Sequence, residues 1–156
     1  MMNLKRLAAV LSTTALTSAV LVATSGNAVA ADRTVTWKNV ATGRWLGVDT
    51  GITGTGSKVG TYTRNAAGWE ETKNSDGTFT LEWDGFSTGS HCLDSKATGS
   101  VYAISCNGND HQKWYENKTS TGWRLKNKAT GRVLDSNSSG SVYTLPDNGG
   151  RNQRWS

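Results

Sequence analysis

The sequence is poor in most of the features that mark catalysts, metal proteins and membrane proteins. Past residue 30 it holds no apolar run of the roughly 20 residues that a bilayer span requires, so the mature chain is expected to be soluble and not inserted in a membrane. Proline occurs once, as Pro146, and no proline-rich or serine-rich linker divides the chain into two domains. The two histidines, His91 and His111, and the two cysteines, Cys92 and Cys106, form neither a His-Glu-x-x-His pair nor a Cys-x-x-Cys. No metal or cofactor is therefore expected. Gly-x-Ser-x-Gly elbows, phosphate loops and nucleophile-base signatures are also missing. Hydrolysis of a glycoside needs two carboxyl groups facing one another, whereas Glu70 and Glu71 are adjacent and would point to opposite faces of a strand. The expectation is a protein without enzymatic activity.

What is present begins with a leader. Lys5 and Arg6 precede an uncharged, apolar or small stretch over 7–23, and Ala28-Val29-Ala30 forms a small-x-small cleavage site. Residues 1–30 are read as a secretory signal and the product as extracellular. Removing them from 156 residues leaves about 126, enough for one compact domain over 31–156. The whole chain carries 17 Lys plus Arg against 12 Asp plus Glu; the leader takes two of the basic residues and no acid, leaving 15 against 12, a net charge of +3. With no Lys/Arg cluster to displace counterions from phosphates, nucleic acid is not an expected partner.

The mature part is rich in Gly, Ser, Thr and Asn, and no segment holds apolar residues at helical spacing for three turns. Short strands are predicted at 34–37, 78–83, 100–104, 123–126 and 141–145. Turn signals separate them at Ser75-Asp76-Gly77, Asn107-Gly108 and Asn148-Gly149-Gly150.

The strongest signal is internal repetition. Leu93-Asp94-Ser95 recurs as Leu134-Asp135-Ser136, an offset of 41 positions, and the same offset relates Tyr102 to Tyr143, Asn107 to Asn148, Gln112 to Gln153 and Trp114 to Trp155. A third, degenerate copy lies upstream. There Ala41-Thr42-Gly43-Arg44 matches Ala129-Thr130-Gly131-Arg132, and Leu46 takes the Leu position. Gly47 replaces the Asp, about five residues are inserted before Val59, and Gly60 replaces the Tyr. The copy is read as ending with Asn65 retained, Glu70 in the Gln position and Thr72 in the Trp position. The repeats then span about 33–78, 79–122 and 123–156. Each is too small to bury a core of its own, so the three are expected to share one about a pseudo-threefold axis.

Three repeats of about 40 residues, the two intact ones opening on Leu-Asp and closing on Gln-x-Trp, resemble the ricin B-chain-like β-trefoil lectins over essentially the whole mature chain. The run Gly131-Arg132-Val133-Leu134-Asp135-Ser136-Asn137, with Val142-Tyr143-Thr144-Leu145-Pro146 and Asn148-Gly149-Gly150, is similar to the mannose-binding, actinohivin-like branch of those lectins. The resemblance implies an all-β trefoil of twelve strands, six in a short barrel and six in a hairpin cap, with one shallow sugar pocket in each intact repeat. It also implies that Gln112 and Gln153 orient the Asp, and it supports a disulfide between Cys92 and Cys106, which the secreted context independently favours.

The residues supply the chemistry such a pocket needs. Asp94 and Asp135 can each accept hydrogen bonds from two vicinal hydroxyls, and a charged acceptor makes the stronger bond. Asn107 and Asn148 can donate an amide proton. Tyr102 and Tyr143 lie two residues before Ile104 and Leu145, on the same strand face, and can form an apolar wall. His111 precedes Gln112 and can stack or hydrogen-bond, whereas its counterpart Asn152 has no ring; Asp147 adds a charge beside Asn148. Trp114 and Trp155 are expected in the core, and Trp37, Trp45 and Trp83 are expected to complete the barrel. The carbohydrate-binding set is thus Asp94, Tyr102, Asn107, His111 and Gln112 in the second repeat, and Asp135, Tyr143, Leu145, Asn148 and Gln153 in the third. Glycans, on cell surfaces or glycoproteins, are the expected partners, bound at two sites at once. The alternative is an interaction subunit of a secreted toxin or defence complex. It would present the first repeat to a protein partner through the Gly-rich segment 51–60 and Trp69, Glu70 and Glu71.

Overall fold

The computed structural model describes residues 33–49, 56–64, 66–83, 85 and 89–156. The leader, residues 51–55 of the Gly-rich segment and Asn65 lie outside them. Among the described residues eleven strands are formed: β1 (Arg33–Val35), β2 (Trp45–Val48), β3 (Ser57–Tyr62), β4 (Trp69–Lys73), β5 (Phe79–Trp83), β6 (His91–Ser95), β7 (Val101–Ser105), β8 (Trp114–Thr119), β9 (Gly122–Asn127), β10 (Val133–Ser136) and β11 (Val142–Leu145). Strands β1, β4, β5, β8 and β9 pair in that order. Trp155 bridges both Trp123 and Asn39, so the C-terminal segment stands where a twelfth strand would close the barrel. Three hairpins, β2-β3, β6-β7 and β10-β11, form the cap.

The core consists of threefold layers. Val35, Phe79 and Trp123 pair respectively with Trp69, Trp114 and Trp155, which sets the register of all three repeats. In that register the buried residues fall into triplets: Trp69, Trp114 and Trp155; Trp37, Leu81 and Leu125; Leu46, Leu93 and Leu134; Val59, Val101 and Val142. Ala103 completes the cluster. Each repeat thus contributes one residue to each layer, and burial of apolar area is a property of the assembled trefoil. Trp83 packs against the core from its edge. Trp45 does not join it; its ring lies under the Lys38 ammonium, 5.0 Å from the centroid.

The register corrects the end of the first repeat. Trp69, fully buried, is its core tryptophan and Ala67 takes the Gln position, so Glu70 and Thr72 are not the counterparts of Gln and Trp. Between the hairpin strand and this tryptophan the first repeat is three residues shorter than the other two. The strands that sequence did not predict, β2, β3, β4, β6, β8 and β10, are mixed or polar, such as Trp-Glu-Glu-Thr-Lys in β4. They form because the neighbouring strand completes their hydrogen bonds, and a single segment carries no trace of that.

Hydroxyl groups join the repeats. Ser95 pairs with Thr144 and Ser136 with Thr61, each at 2.9 Å and buried. Gly99 (φ 97°) and Gly140 (φ 90°) turn the hairpins against the same neighbours. A Cβ at either would stand 2.7 Å from a backbone oxygen, Thr144 O or Thr61 O, so no larger residue fits.

Cys92 and Cys106 are disulfide-bonded, closing a separation of 14 residues around β6 and β7. For a loop of this size the bond stabilises by about 3 kcal/mol. The Cys92→Ser/Cys106→Ser double variant is expected to lose about that much unfolding free energy in urea; an unchanged midpoint would exclude a stabilising role.

Glu71 is 3% exposed and accepts from Arg33, with Nη2 2.7 Å from Oε1. Its other oxygen, Oε2, and Oε1 of Glu116 are both buried without a donor, and the two carboxyl groups face one another. Two acceptors can bond only by sharing a proton. Burial, then the hydrogen bond and charge of Glu71, push Glu116 up to about 8, against the pull of Arg33. A raised value in the fold means that this contribution is whole below the ordinary glutamate value of 4.5 and is lost as pH rises through about 8. The thermal midpoint is expected to fall across that window. Glu116→Gln, whose amide donates to Glu71 at every pH, is expected to flatten the profile; superimposable profiles would rule out the shared proton.

Candidate functional site

A buried indole N–H needs an acceptor. Trp114 Nε1 finds Leu93 O at 2.9 Å, and Trp155 Nε1 finds Leu134 O at 3.1 Å. In the second and third repeats the core tryptophan therefore holds the carbonyl immediately before the aspartate, whereas Nε1 of Trp69 in the first repeat is buried without a protein acceptor among the described residues. Asp94, 4% exposed, lies opposite Tyr102 across the β6-β7 pair, and Asp135, 3% exposed, lies opposite Tyr143 across β10-β11. In both pairs the phenol and the carboxylate interact closely enough to shift the phenol. Burial, then the hydrogen bond and charge of Asp94, push the Tyr102 phenol up to about 12; burial and the charge of Asp135 raise Tyr143 as well. Burial raises Asp135, opposed by hydrogen bonds from Tyr143, Gln153 and the Ser136 N–H. Oδ1 of Asp94 is buried and has no protein donor.

The glutamines act chiefly on the loop beyond. Gln112 Oε1 accepts the Asn107 N–H at 2.8 Å while its Nε2 donates to Ser105 O at 3.2 Å. Gln153 does the same with the Asn148 N–H (3.0 Å) and Pro146 O (3.1 Å). Both glutamines are fully buried, so their main task is to shape the segment that carries the asparagine. Asn107 Oδ1 is occupied by the Asn109 N–H and Asn148 Oδ1 by the Gly150 N–H. What each asparagine presents outward is then its amide donor.

His111 and Asn152 differ less than their side chains suggest. Nδ1 of His111 lies 2.7 Å from Ser95 O, and Nδ2 of Asn152 donates to Ser136 O at 2.5 Å. Each ties the turn before its tryptophan to the residue after its aspartate. In the second repeat the result is an open pocket of about 280 Å³ lined by Asp94, Lys96, Tyr102, Ile104, Asn107 and His111, with Asn109 at its edge. Lys96 lies over the Tyr102 ring at 5.1 Å. Asp147 pairs with Arg124, which helps hold its carboxyl below the ordinary range against the effect of burial.

Among the described residues the first repeat does not build the same constellation. Gly47 and Gly60 stand opposite one another where the Asp and Tyr stand elsewhere. Tyr62, in the position of Ile104 and Leu145, fills the space: a Cβ on Gly47 would be 3.0 Å from its ring and one on Gly60 3.2 Å from its hydroxyl. The proposed protein-binding face is not formed as expected either, because Trp69 is fully buried and Glu71 is 3% exposed; Glu70 alone of the three is exposed.

Sequence reading missed Lys96 and Asn109, which lie in variable positions of the repeat and carry no signal. It also missed Asn39 and Asn127. Both are fully buried; Asn127 Nδ2 donates to His111 O and Asn39 Nδ2 to Asn152 O, each at 2.7 Å, fastening one repeat to the next behind the site. Here a signal existed, since the Ala-Thr-Gly-Arg match extends upstream as Lys38-Asn39 and Lys126-Asn127.

Solved structures share the architecture. The designed threefold-symmetric protein ThreeFoil superposes with a TM-score of 0.67 at 25% identity, over 77% of this chain and 94% of its own. SeviL, solved bound to asialo-GM1 saccharide, gives 0.63 at 18% identity over 80% and 95%. An exo-β-1,3-galactanase from Clostridium thermocellum gives 0.67 at 20% identity over 78% of this chain but 29% of the enzyme. No curated protein sequence matches the chain. The profile of the ricin-type β-trefoil lectin domain matches residues 33–155. Trefoil core, paired Asp-Tyr sites and profile agree, and the chain belongs to the ricin-type β-trefoil lectin domain family.

Proposed function

We propose that the protein is a secreted, non-catalytic lectin that binds glycans through its second and third repeats at once. The observation that carries this reading is the pair of Asp-Tyr-Asn constellations built alike in two repeats, with the buried Oδ1 of Asp94 left without a donor at the wall of an open pocket. A buried carboxylate oxygen in that position suits the hydroxyls of a sugar, and the adjoining Tyr102 and Ile104 offer an apolar surface to its C–H face. A pyranose with free vicinal hydroxyls, mannose among them, fits this donor and acceptor set. The saccharide bound to SeviL supports the same class of ligand.

The carboxyl groups support binding and not hydrolysis. Asp94 and Asp135 belong to separate repeats, and of the facing pair Glu71 and Glu116 one oxygen each is buried, with Glu71 bound to Arg33. Neither arrangement places two carboxyl groups across an open sugar site.

Single shallow sites of this kind bind near the millimolar range, about −4 kcal/mol. Useful affinity then comes from engaging both sites on a branched or clustered glycan, a gain on the order of 10² or more. Asp135→Ala is expected to halve the number of monosaccharide sites seen by NMR titration while leaving the affinity of the remaining site unchanged. Binding to a surface of the same sugar, displayed multivalently, is expected to weaken on the order of a hundredfold. Asp94→Ala should behave alike. Equal losses for free and multivalent sugar would overturn bivalent binding, and a blank glycan array from folded protein would overturn the lectin reading itself.

A further inference from the structure

The three hairpins meet at the pseudo-threefold axis, where Lys58 stands across from Tyr102, Ser100 across from Tyr143 and Ser141 across from Gly60. Their convergence leaves a depression of about 460 Å³. Val59, Val101 and Val142, one core layer, form its floor, and Lys58, Ser100 and Ser141 form its rim. It runs outward between the turn of the second repeat and the strand of the third, bounded by Arg132 and by Tyr143. Tyr143 also lies opposite Asp135 across the β10-β11 pair. One tyrosine is therefore the partition between the candidate sugar site of the third repeat and this depression.

The charge of the depression has one sign. Lys58 and Arg132 are the charged residues of its lining, and no acid accompanies them. Among the described residues neither forms an ion pair. Arg132 spends Nε and one Nη2 proton on Thr144 O, at 3.1 and 2.9 Å, which fixes the guanidinium against the hairpin turn and leaves Nη1 uncommitted. The related groove between the third and first repeats differs: there Asp49 accompanies Arg44 and Lys58, and Tyr62 narrows the space. Lys58 itself replaces a serine of the other two repeats, so the basic character of the axis does not follow from the repeat pattern.

We propose that this axial depression is an acidic-sugar subsite. A glycan whose one residue occupies the Asp135, Tyr143 and Asn148 site would extend past Tyr143 and place a carboxylate or sulfate ester between Lys58 and Arg132, with the hydroxyls of Ser100 and Ser141 donating to it. Arg and Lys suit either anion, Arg through its planar fork and Lys as a mobile point charge. The proposal rests on the lectin reading for the third repeat.

The test is an array of matched glycan pairs, each a neutral chain beside the same chain carrying a sialic or uronic acid, or a sulfate ester. The full mature protein is expected to favour the acidic member on the order of fivefold at low salt, as one exposed charge pair allows, and to lose the preference at high salt. Lys58 is exposed, so Lys58→Ala leaves the fold intact; it should abolish the preference and leave neutral binding alone, and Lys58→Glu should invert it. The carboxylate and sulfate arms identify the anion. Equal binding within pairs, or a preference that survives Lys58→Ala, overturns the subsite. Neutral glycans bound through Asp135 without any acid preference would sink the subsite alone. Binding to no member of any pair would sink it together with the lectin reading.

Discussion

The hydrogen bond from a buried tryptophan to the carbonyl before an aspartate couples the two halves of the second repeat and of the third. Trp114 and Trp155 are in the barrel because nothing else in a repeat of 41 residues buries as much apolar surface. Their indole N–H groups find acceptors in Leu93 O and Leu134 O of the hairpin cap, a partner that Trp69 Nε1 in the first repeat lacks among the described residues. Satisfying the core thereby sets the height and direction of the strand whose next residue is Asp94 or Asp135. The buried glutamines complete the arrangement by fixing the loop that carries Asn107 or Asn148. The proposed sugar site is thus the outward end of a core hydrogen-bond network, which holds its polar atoms in place before any ligand arrives.

That coupling explains what could be read from the residues. The offset of 41 positions ties Leu, Asp, Tyr, Asn, Gln and Trp together because each is bound to another member of the set. The period therefore carried three repeats around a shared core, and the resemblance to the ricin-type lectins supplied the trefoil and the proposed sites of the second and third repeats. The polar strands β4 and β8 left no such trace: Trp-Glu-Glu-Thr-Lys and Trp-Tyr-Glu-Asn-Lys-Thr are strands by virtue of the neighbours that pair with them. Glu71 and Glu116 were invisible for the same reason, since 45 positions separate two residues that share a proton.

Reading the first repeat by the same offset went wrong at its end. Counting from Gly47 through a five-residue insertion led to Glu70 and Thr72, yet strand pairing assigns the core position to Trp69. The error has a physical source. Loops change length with little cost to the fold, and the loop lost here is the one that displays Asn107 in the second repeat. A tryptophan three residues early was the sign that this loop is short, and it outweighed the match of Asn65.

The asymmetry of the three repeats shows that core and site are separable demands. In the first repeat every core layer is filled, by Trp37, Leu46, Val59 and Trp69, while Asp, Tyr and Gln have become Gly47, Gly60 and Ala67. Removing three polar side chains from a shared pocket would leave a hollow beside buried backbone, and hollows destabilise. Tyr62 occupies that space, with its ring over Gly47 and its hydroxyl near Gly60. A trefoil can therefore give up one site without loss of packing, provided an aromatic from the adjacent strand position replaces the lost volume. The same separability lets the rim of the axis vary. Lys58 rests on a valine layer common to all three repeats, so a charge there alters what the surface attracts while the core beneath stays threefold.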